Sequence, residues 1–272
     1  MYNHVLPTRA KRLPGRVNGA DVETLNTMQE TLTLELSAKQ KQFNIAMGLY
    51  NSKSRYKILG VSVSIINISL QFYLFYRIWP HSIGVGRLVL ALFSAYILTD
   101  FINGLVHMFM DGNDRYDSLA GPLIANFHMH HKNPQYKKNN LLVVYFMETG
   151  SKLWLVVYLL LVLLIQGMFA VDSTVLYTLV YIGILSSIAE VSHYLCHSSR
   201  SAISGFLGKI GLLLSKRHHA RHHMYDNSNY AFLNGFTDPL LNRIAAACCK
   251  GYKHNTDLHY ANFNGVGSDN RQ

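Results

Sequence analysis

Four long apolar segments restrict what this chain can fold into. They span residues 58–79, 88–110, 153–171 and 174–195. Each is close to the roughly 20 residues that a helix needs to cross a bilayer. The third contains no charged residue, which argues against a buried helix of a soluble protein. These segments predict an all-α fold, a polytopic membrane protein with about four transmembrane helices.

Basic residues are distributed unevenly around these segments. Nine Lys/Arg precede the first segment, five lie between the second and third, and nine follow the fourth, whereas the other side has only Arg77 and Arg87. The positive-inside rule therefore predicts cytoplasmic termini and a cytoplasmic 111–152 loop. This topology explains the net charge of +10, and no nucleic-acid-binding motif accompanies it, so we expect no nucleic-acid partner.

The membrane segments divide the chain into three parts. We predict a partly helical cytoplasmic segment over residues 1–55, a membrane-embedded domain over 56–248 and a flexible tail over 249–272. Residues 21–50 have the apolar spacing of a helix. The apolar stretch 203–214 is too short to span a bilayer and is expected to lie along its surface or to re-enter.

Ten of the 14 histidines fall in four short clusters. With the carboxylates beside them, the clusters are Asp100, His107 and Asp111; His128, His130 and His131; Glu190, His193 and His197; and His218, His219, His222 and His223. Spacings of three, four and seven put the members of the helical clusters on one face. All four clusters lie at the same depth on the predicted cytoplasmic side, the first and third at the ends of the second and fourth spans and the second in the loop after the second span. Ionisable groups there are costly and usually functional, so the clusters predict a cytoplasmic-face histidine-rich metal site.

The type and number of these ligands restrict the metal. Imidazole suits zinc, copper, iron and nickel. A single zinc ion needs only about four ligands, which is far fewer than the clusters offer. Two ions would use them better, and two irons that activate oxygen are the favoured pair. From spacing alone, a dizinc hydrolase remains possible.

The motifs DFINGLVHMFMD, HHKNP, HYLCH and KRHHARHH, followed by GFTDPL, occur in that order over about residues 85–245. This pattern resembles the lipid desaturase domain family of membrane histidine-box di-iron enzymes, the Kua-like or plasmanylethanolamine desaturase group. The chain departs from the family pattern at Met108, where tryptophan is common, and at the additional His128. Glu190 stands near a position that is often an amide.

The resemblance implies a ligand set. With the additional His128 included, the predicted metal ligands are His107, Asp111, His128, His130, His131, His193, His197, His218, His219, His222 and His223. We predict that the carboxylates of Asp100 and Glu190 support catalysis next to these ligands, with helix packing or capping as the alternative for Asp100. Glu148 is a weaker candidate for the same role.

Polar residues near the last cluster are further candidates. Lys216, Arg217 and Arg221 could hold a phosphate headgroup or simply face the membrane surface. Asn227, Tyr230 and Asp238 could hydrogen-bond the ligands.

Together these patterns predict an oxygen-dependent lipid desaturase with two iron ions. Its lipid substrate would enter from the bilayer, and electrons would come from a separate donor of the cytochrome b5 or ferredoxin type. The alternatives are a di-iron lipid hydroxylase and a non-catalytic metal transporter or sensor. The expected location is the endoplasmic reticulum or a bacterial inner membrane.

Overall fold

The structure, a computed structural model, describes residues 19–132, 140–225 and 228–249, and these form helices and loops without any strand. The prediction of an all-α fold is confirmed. The helices are α1 (Gly19–Ser52), α2 (Ser54–Ile78), α3 (Val85–Asp111), α4 (Gly121–Lys132), α5 (Leu141–Thr149), α6 (Leu153–Met168), α7 (Ser173–Ser198), α8 (Ala202–Lys209), α9 (Lys216–Met224) and α10 (Asp238–Cys248).

Helices α2, α3 and α7 are long and apolar enough to cross a membrane. Helices α5 and α6 meet that test only together, as a pair bent by 83°, which is either a broken span or a re-entrant loop. The prediction of about four spans is therefore confirmed when this bent pair counts as one. The third apolar segment is not a continuous span, because α6 has 16 residues and a helix of that length covers only about 24 Å.

The break between α5 and α6 is held by α2. The Asn67 side-chain amide donates to the carbonyl oxygens of Thr149 and Lys152, at 3.5 and 3.1 Å. Gly150 permits this close approach, since a Cβ there would lie 2.5 Å from the Gly60 carbonyl oxygen. The bend thus satisfies backbone groups that a membrane would otherwise leave without partners.

An apolar core joins α2, α3, α6 and α7. Its fully buried members include Leu74, Ala91, Leu155 and Leu159. Large apolar side chains on the outer faces of the same helices remain exposed, for example Phe72, Tyr76, Leu90, Phe93, Leu161 and Leu164. Apolar residues on both the inside and the outside are expected of helices whose surroundings are lipid.

The chain divides into two compact units, Met1–Ala38 and Lys39–Gln272. The described part of the first unit is the beginning of α1, in agreement with the helix predicted over 21–50. In the second unit, the end of α1 packs through Phe43, whose ring lies edge-on to Tyr116 at 5.2 Å. The predicted boundaries at residues 55 and 248 stay predictions.

Candidate metal centre

The C-terminal ends of α3 and α7 lie together, and two short helices add their histidines to them. The rings of His107 on α3 and His193 on α7 are 6.3 Å apart. Helix α4 brings His130 to 5.3 Å from His193, and α9 brings His219 to 4.6 Å from the same ring. Residues from all four sequence clusters therefore meet at one end of the helical bundle.

Asp111 lies at the centre of the first group. Its Oδ1 is 2.9 Å from His131 Nε2, and its Oδ2 is 3.4 Å from His107 Nε2 and 3.2 Å from His222 Nε2. His130 completes the group, and the five residues, all buried, offer ligand atoms within 4.8 Å of one another. The group thus offers four imidazoles and one carboxylate to a common point.

Three of these rings are oriented by backbone carbonyl groups. The Nδ1–H group of His107 donates to the Tyr230 carbonyl oxygen at 2.8 Å. In the same way, His130 donates to the Phe127 carbonyl at 2.5 Å and His222 to the Ser228 carbonyl at 2.9 Å. Because a carbonyl oxygen only accepts, Nδ1 must carry the proton, and the neutral ring then has its lone pair on Nε2. A hydrogen bond at the second ring nitrogen is the usual way in which proteins orient a histidine ligand.

A cation is needed to make this arrangement favourable. The Nε2 lone pairs of His107 and His222 face Asp111 oxygens, which also carry lone pairs. Protonating both of these rings would place two positive charges against one carboxylate in a buried site, at high cost. Burial holds the pKa of His130 well below its usual value, and its buried Nε2 has no hydrogen-bond partner in the described part of the chain. The first group therefore fits a metal ion.

The second group is a triangle of imidazole nitrogens. The Nε2 atoms of His193, His197 and His219 are separated by 2.9 to 3.1 Å, and His223 Nε2 is 3.0 Å from His219 Nε2. A hydrogen bond needs one protonated and one bare nitrogen, so three mutual contacts cannot all be hydrogen bonds. Around an ion with metal–nitrogen bonds of about 2.1 Å, nitrogens at right angles would be about 3 Å apart. The triangle fits a second metal ion.

The two groups adjoin one another. His131 and His223 have ring centroids 4.8 Å apart, and His219 stacks on His222 at 5.3 Å. Burial also lowers the pKa of His219 well below the usual value, so its ring is neutral and able to bind a metal at neutral pH. Together with the neighbouring His223, the two groups supply eight histidines and one aspartate that could hold two neighbouring ions.

His128 does not join either group. Its Nδ1 accepts from the Tyr116 hydroxyl at 2.6 Å, and its Nε2 donates to the Met110 carbonyl oxygen at 2.8 Å. Burial lowers its pKa to about 4, which agrees with a neutral ring. Since both nitrogens are engaged, this geometry does not support the prediction that His128 is a ligand, and we assign it to packing between α3 and α4.

His218 also lies outside the two groups. Its Nε2 is 2.5 Å from Asp238 Oδ2, while Asp238 Oδ1 accepts from the Ala231 amide at 2.9 Å. Burial raises the pKa of Asp238 above its usual value. This contact ties α9 to α10 and to the loop between them, so it does not support the predicted ligand role of His218.

Asp100 holds that same loop. Its Oδ1 accepts from the amides of Leu233, Asn234 and Gly235 at 2.9 to 3.2 Å, and its Oδ2 accepts from the Thr237 amide and hydroxyl. The loop also carries the Ser228 and Tyr230 carbonyl groups that orient His222 and His107. Asp100 therefore acts on the site through the loop, and a direct bond to a ligand is not observed among the described residues.

Glu190, unlike Asp100, is paired with a buried cation. Its Oε1 is 2.9 Å from Lys152 Nζ, and Lys152 also donates to Asn103. All three side chains are buried, and the Lys152 ammonium lies 5.6 Å from the Phe232 ring centroid. Burying a carboxylate is costly, and a cation paired with it offsets part of that cost.

A cavity of about 300 Å³ opens beside both metal-ligand groups. Its walls include His130 from the first group, His193 from the second, and Glu148 and Glu190. The aromatic side chain of Phe232 also lines it. Through this cavity, a small molecule or an extended chain could reach His130 and His193, whose nitrogen atoms would bind the metal ions.

Sequence reasoning missed several residues that shape this site. Tyr116 and Lys152 had no motif around them, and the carbonyl groups of Ser228 and Tyr230 give no signal because every residue has one. Tyr230 was predicted to hydrogen-bond a ligand, and its carbonyl oxygen accepts from the candidate ligand His107. The predicted contact of Asn227 lies outside the described residues.

Comparison with known proteins assigns the chain to a family. The family model of the lipid desaturase domain matches residues 96–246, which include every residue of the two metal-ligand groups. Plasmanylethanolamine desaturase of Myxococcus xanthus is 25% identical over 211 residues, covering 74% of this chain and 72% of the relative. No solved structure matches. The chain belongs to the lipid desaturase domain family.

Proposed function

We propose that this protein is an oxygen-dependent lipid desaturase that binds two iron ions, one in each ligand group. The observation that carries this proposal is the pair of adjoining groups, seven imidazoles with a single carboxylate, next to a cavity. A desaturation removes two hydrogens from neighbouring carbons of a chain, and bound iron would supply the oxidation by O2.

Iron is favoured over zinc by the ligand count. Zinc sites in proteins use four ligands, and at catalytic sites only three come from the protein. The first group alone offers five. Imidazole nitrogen also suits iron, and one carboxylate helps to neutralise the charge of the ions. A dizinc hydrolase fits this excess of ligands less well.

The chain's own residues would orient the lipid and exclude water. Phe127 and Phe232 give the cavity an apolar surface between His130 and His193, which suits a hydrocarbon chain. Keeping an unreactive C–H bond in position against the oxidising centre, away from water, is the main task of such a site. The open apolar outer faces of α2 and α3 are consistent with a substrate that arrives from the bilayer.

Glu190 and Asp100 have different roles in this proposal. Glu190 lines the cavity, and Lys152 keeps its carboxylate in position there. Asp100 is a positioning residue that fixes the loop behind His107 and His222. We propose that neither carboxylate binds the metal ions.

The substrate and partners follow from the relative and from the chemistry. The Myxococcus xanthus relative is named for plasmanylethanolamine, so an ether-linked alkyl chain of an ethanolamine phospholipid is the first substrate to test, with acyl chains next. Removing two hydrogens from the chain while O2 is reduced to two water molecules also requires two electrons and two protons, and a separate donor of the cytochrome b5 or ferredoxin type would supply the electrons. We propose that the site faces the cytoplasm, as the basic flanks indicate.

Lipid mass spectrometry tests this function. Cells that lack the activity would express the intact protein, His222→Ala or the control His81→Ala, whose side chain is exposed in the α2–α3 loop. We expect a lipid two hydrogens lighter with the intact protein and with His81→Ala, and none with His222→Ala. A hydroxylated lipid would indicate the hydroxylase instead. An unchanged lipid profile in all three would contradict both.

A further inference from the structure

A half-open pocket of about 390 Å³ lies between the end of α7, helix α8 and the start of α9. Leu195, Leu213 and Leu214 give it apolar walls. Lys216 contributes to its lining three residues before His219, so the pocket begins about one helical turn from the second metal-ligand group. It is separate from the cavity that His130 and His193 line.

Three cations line this pocket, and no acidic residue lines it in the part of the chain that the structure describes. The cations are Lys209, Lys216 and Arg217. Within the described residues, the ion pairs found elsewhere in the chain involve none of these three. Arg221 is exposed further along α9 and is not part of the lining. The concentration of positive charge suits an anion.

The pocket wall is fixed by the surrounding fold. The Ser192 hydroxyl accepts from the Leu214 amide at 2.8 Å and donates to the Leu233 carbonyl oxygen at 2.7 Å. Gly208 lets α8 approach the start of α9, because a Cβ there would be only 3.1 Å from Ser215 Cα. These contacts hold the wall in place without a ligand, and a preformed site loses less freedom on binding.

We propose that this pocket binds the headgroup phosphate of a glycerophospholipid and so holds the substrate lipid beside the metal centre. The link to the substrate rests on the proposed function; the phosphate site itself rests on the pocket. Lysine and arginine donate charge-assisted hydrogen bonds to phosphate oxygens. The apolar walls accommodate the adjoining glycerol and the first part of a chain.

The position of α8 is consistent with a lipid ligand. Its Ile203 and Phe206 side chains are exposed, while Lys209 at its end is on the pocket. An apolar face next to basic side chains is the arrangement of helices that lie in the membrane–water interface, where lipid phosphates are located. A lipid headgroup is therefore favoured over a phosphate free in solution.

Binding to purified full-length protein tests the proposal. The probes are phosphatidylethanolamine and diacylglycerol with matching chains, and dissociation constants are measured by native mass spectrometry from detergent. The variant combines Lys209→Gln, Lys216→Gln and Arg217→Gln. A basic residue beside the lipid phosphate is expected to contribute about 1 kcal/mol, or about fivefold in affinity, so the triple change should weaken phosphatidylethanolamine binding about 100-fold. Diacylglycerol, which has no phosphate, should bind the variant and the intact protein alike.

A matched control removes the same charge elsewhere. Lys53→Gln, Arg55→Gln and Lys57→Gln change three exposed cations at the start of α2. Equal weakening by both triple variants would show a general surface-charge effect and overturn the pocket. Displacement of the lipid by an equal concentration of inorganic phosphate would overturn the assignment to a headgroup.

Turnover separates the pocket from the proposed function. If both hold, the pocket triple variant raises KM for the phospholipid and leaves kcat and iron content unchanged. If the intact protein binds the phospholipid through these three cations but forms no double bond, the pocket stands and the desaturase proposal fails. Undiminished phospholipid binding by the pocket variant would overturn the pocket and leave the desaturase proposal intact.

Discussion

Replacing Asp100 by asparagine should loosen the loop that orients two metal ligands. The side chain is fully buried and accepts five hydrogen bonds from residues 233–237. In Asp100→Asn, an NH2 group replaces one carboxylate oxygen and faces the Thr237 amide, which is also a donor. The Thr237 hydroxyl can rotate to accept, but the amide cannot. One buried donor is then left unsatisfied.

The expected magnitude follows from those contacts. An unsatisfied buried donor costs about 1–3 kcal/mol, and hydrogen bonds to a charged group each lose part of their strength when the charge is removed. We expect the free energy of unfolding to fall by about 3–5 kcal/mol in total, within the range known for breaking buried charged networks. The loop carries the carbonyl groups behind His107 and His222, so the first ligand group should bind its metal ion more weakly.

Denaturant unfolding in detergent micelles and metal analysis on the same preparations measure both effects. Asp172→Asn is the matched control, because Asp172 is exposed, forms an ion pair with Arg87 and caps α7. Asparagine is as good an N-cap as aspartate, so this variant should change stability by less than about 1 kcal/mol. If Asp100→Asn unfolds like the intact protein and retains all its metal, the positioning role assigned to Asp100 is wrong.

Further substitutions and metal removal test the rest of the site. His128→Gln should retain the metal content of the intact protein, whereas His222→Ala should lose at least one ion per chain. Metal analysis measures both, and equal losses would contradict the conclusion that His128 is not a metal ligand. Lys152→Met should lower the free energy of unfolding by about 3–5 kcal/mol, since it leaves Glu190 buried without its cation. Adding Glu190→Gln should recover part of that loss in a double-mutant cycle, and strictly additive losses would show that the two side chains do not interact. Removing metal with a chelator should lower the thermal midpoint of the purified protein, because the clustered histidines lose the cation that holds them together; an unchanged midpoint after complete removal would argue against that role.

The broad fold could be predicted from the sequence because it depends on composition and period. Helix α7 lies within a few residues of the apolar segment 174–195, since a membrane span needs little beyond length and low charge. The bend between α5 and α6 could not be predicted in this way. It depends on Asn67, more than 80 residues away in the chain, and on a close contact between two glycines.

The ligand set could be predicted only in part. Spacing correctly brought His107 and Asp111 to one helical face, but it could not separate His219 and His222 from His218, which belongs to the same motif. His218 differs from them because its Nε2 contacts the carboxylate of Asp238 on another helix. In the same way, Tyr116 engages His128. Sequence motifs identify residue types at a site, whereas their hydrogen-bond partners decide which nitrogen atoms remain available to a metal.

The iron content of the purified full-length protein tests the central claim most directly. Each chain should contain about two iron ions, one for the group around Asp111 and one for the group of His193, His197 and His219. Element analysis against protein concentration gives this ratio without any knowledge of the substrate. A protein that holds one exchangeable zinc ion and no iron, even when it is produced with abundant iron, would contradict the account.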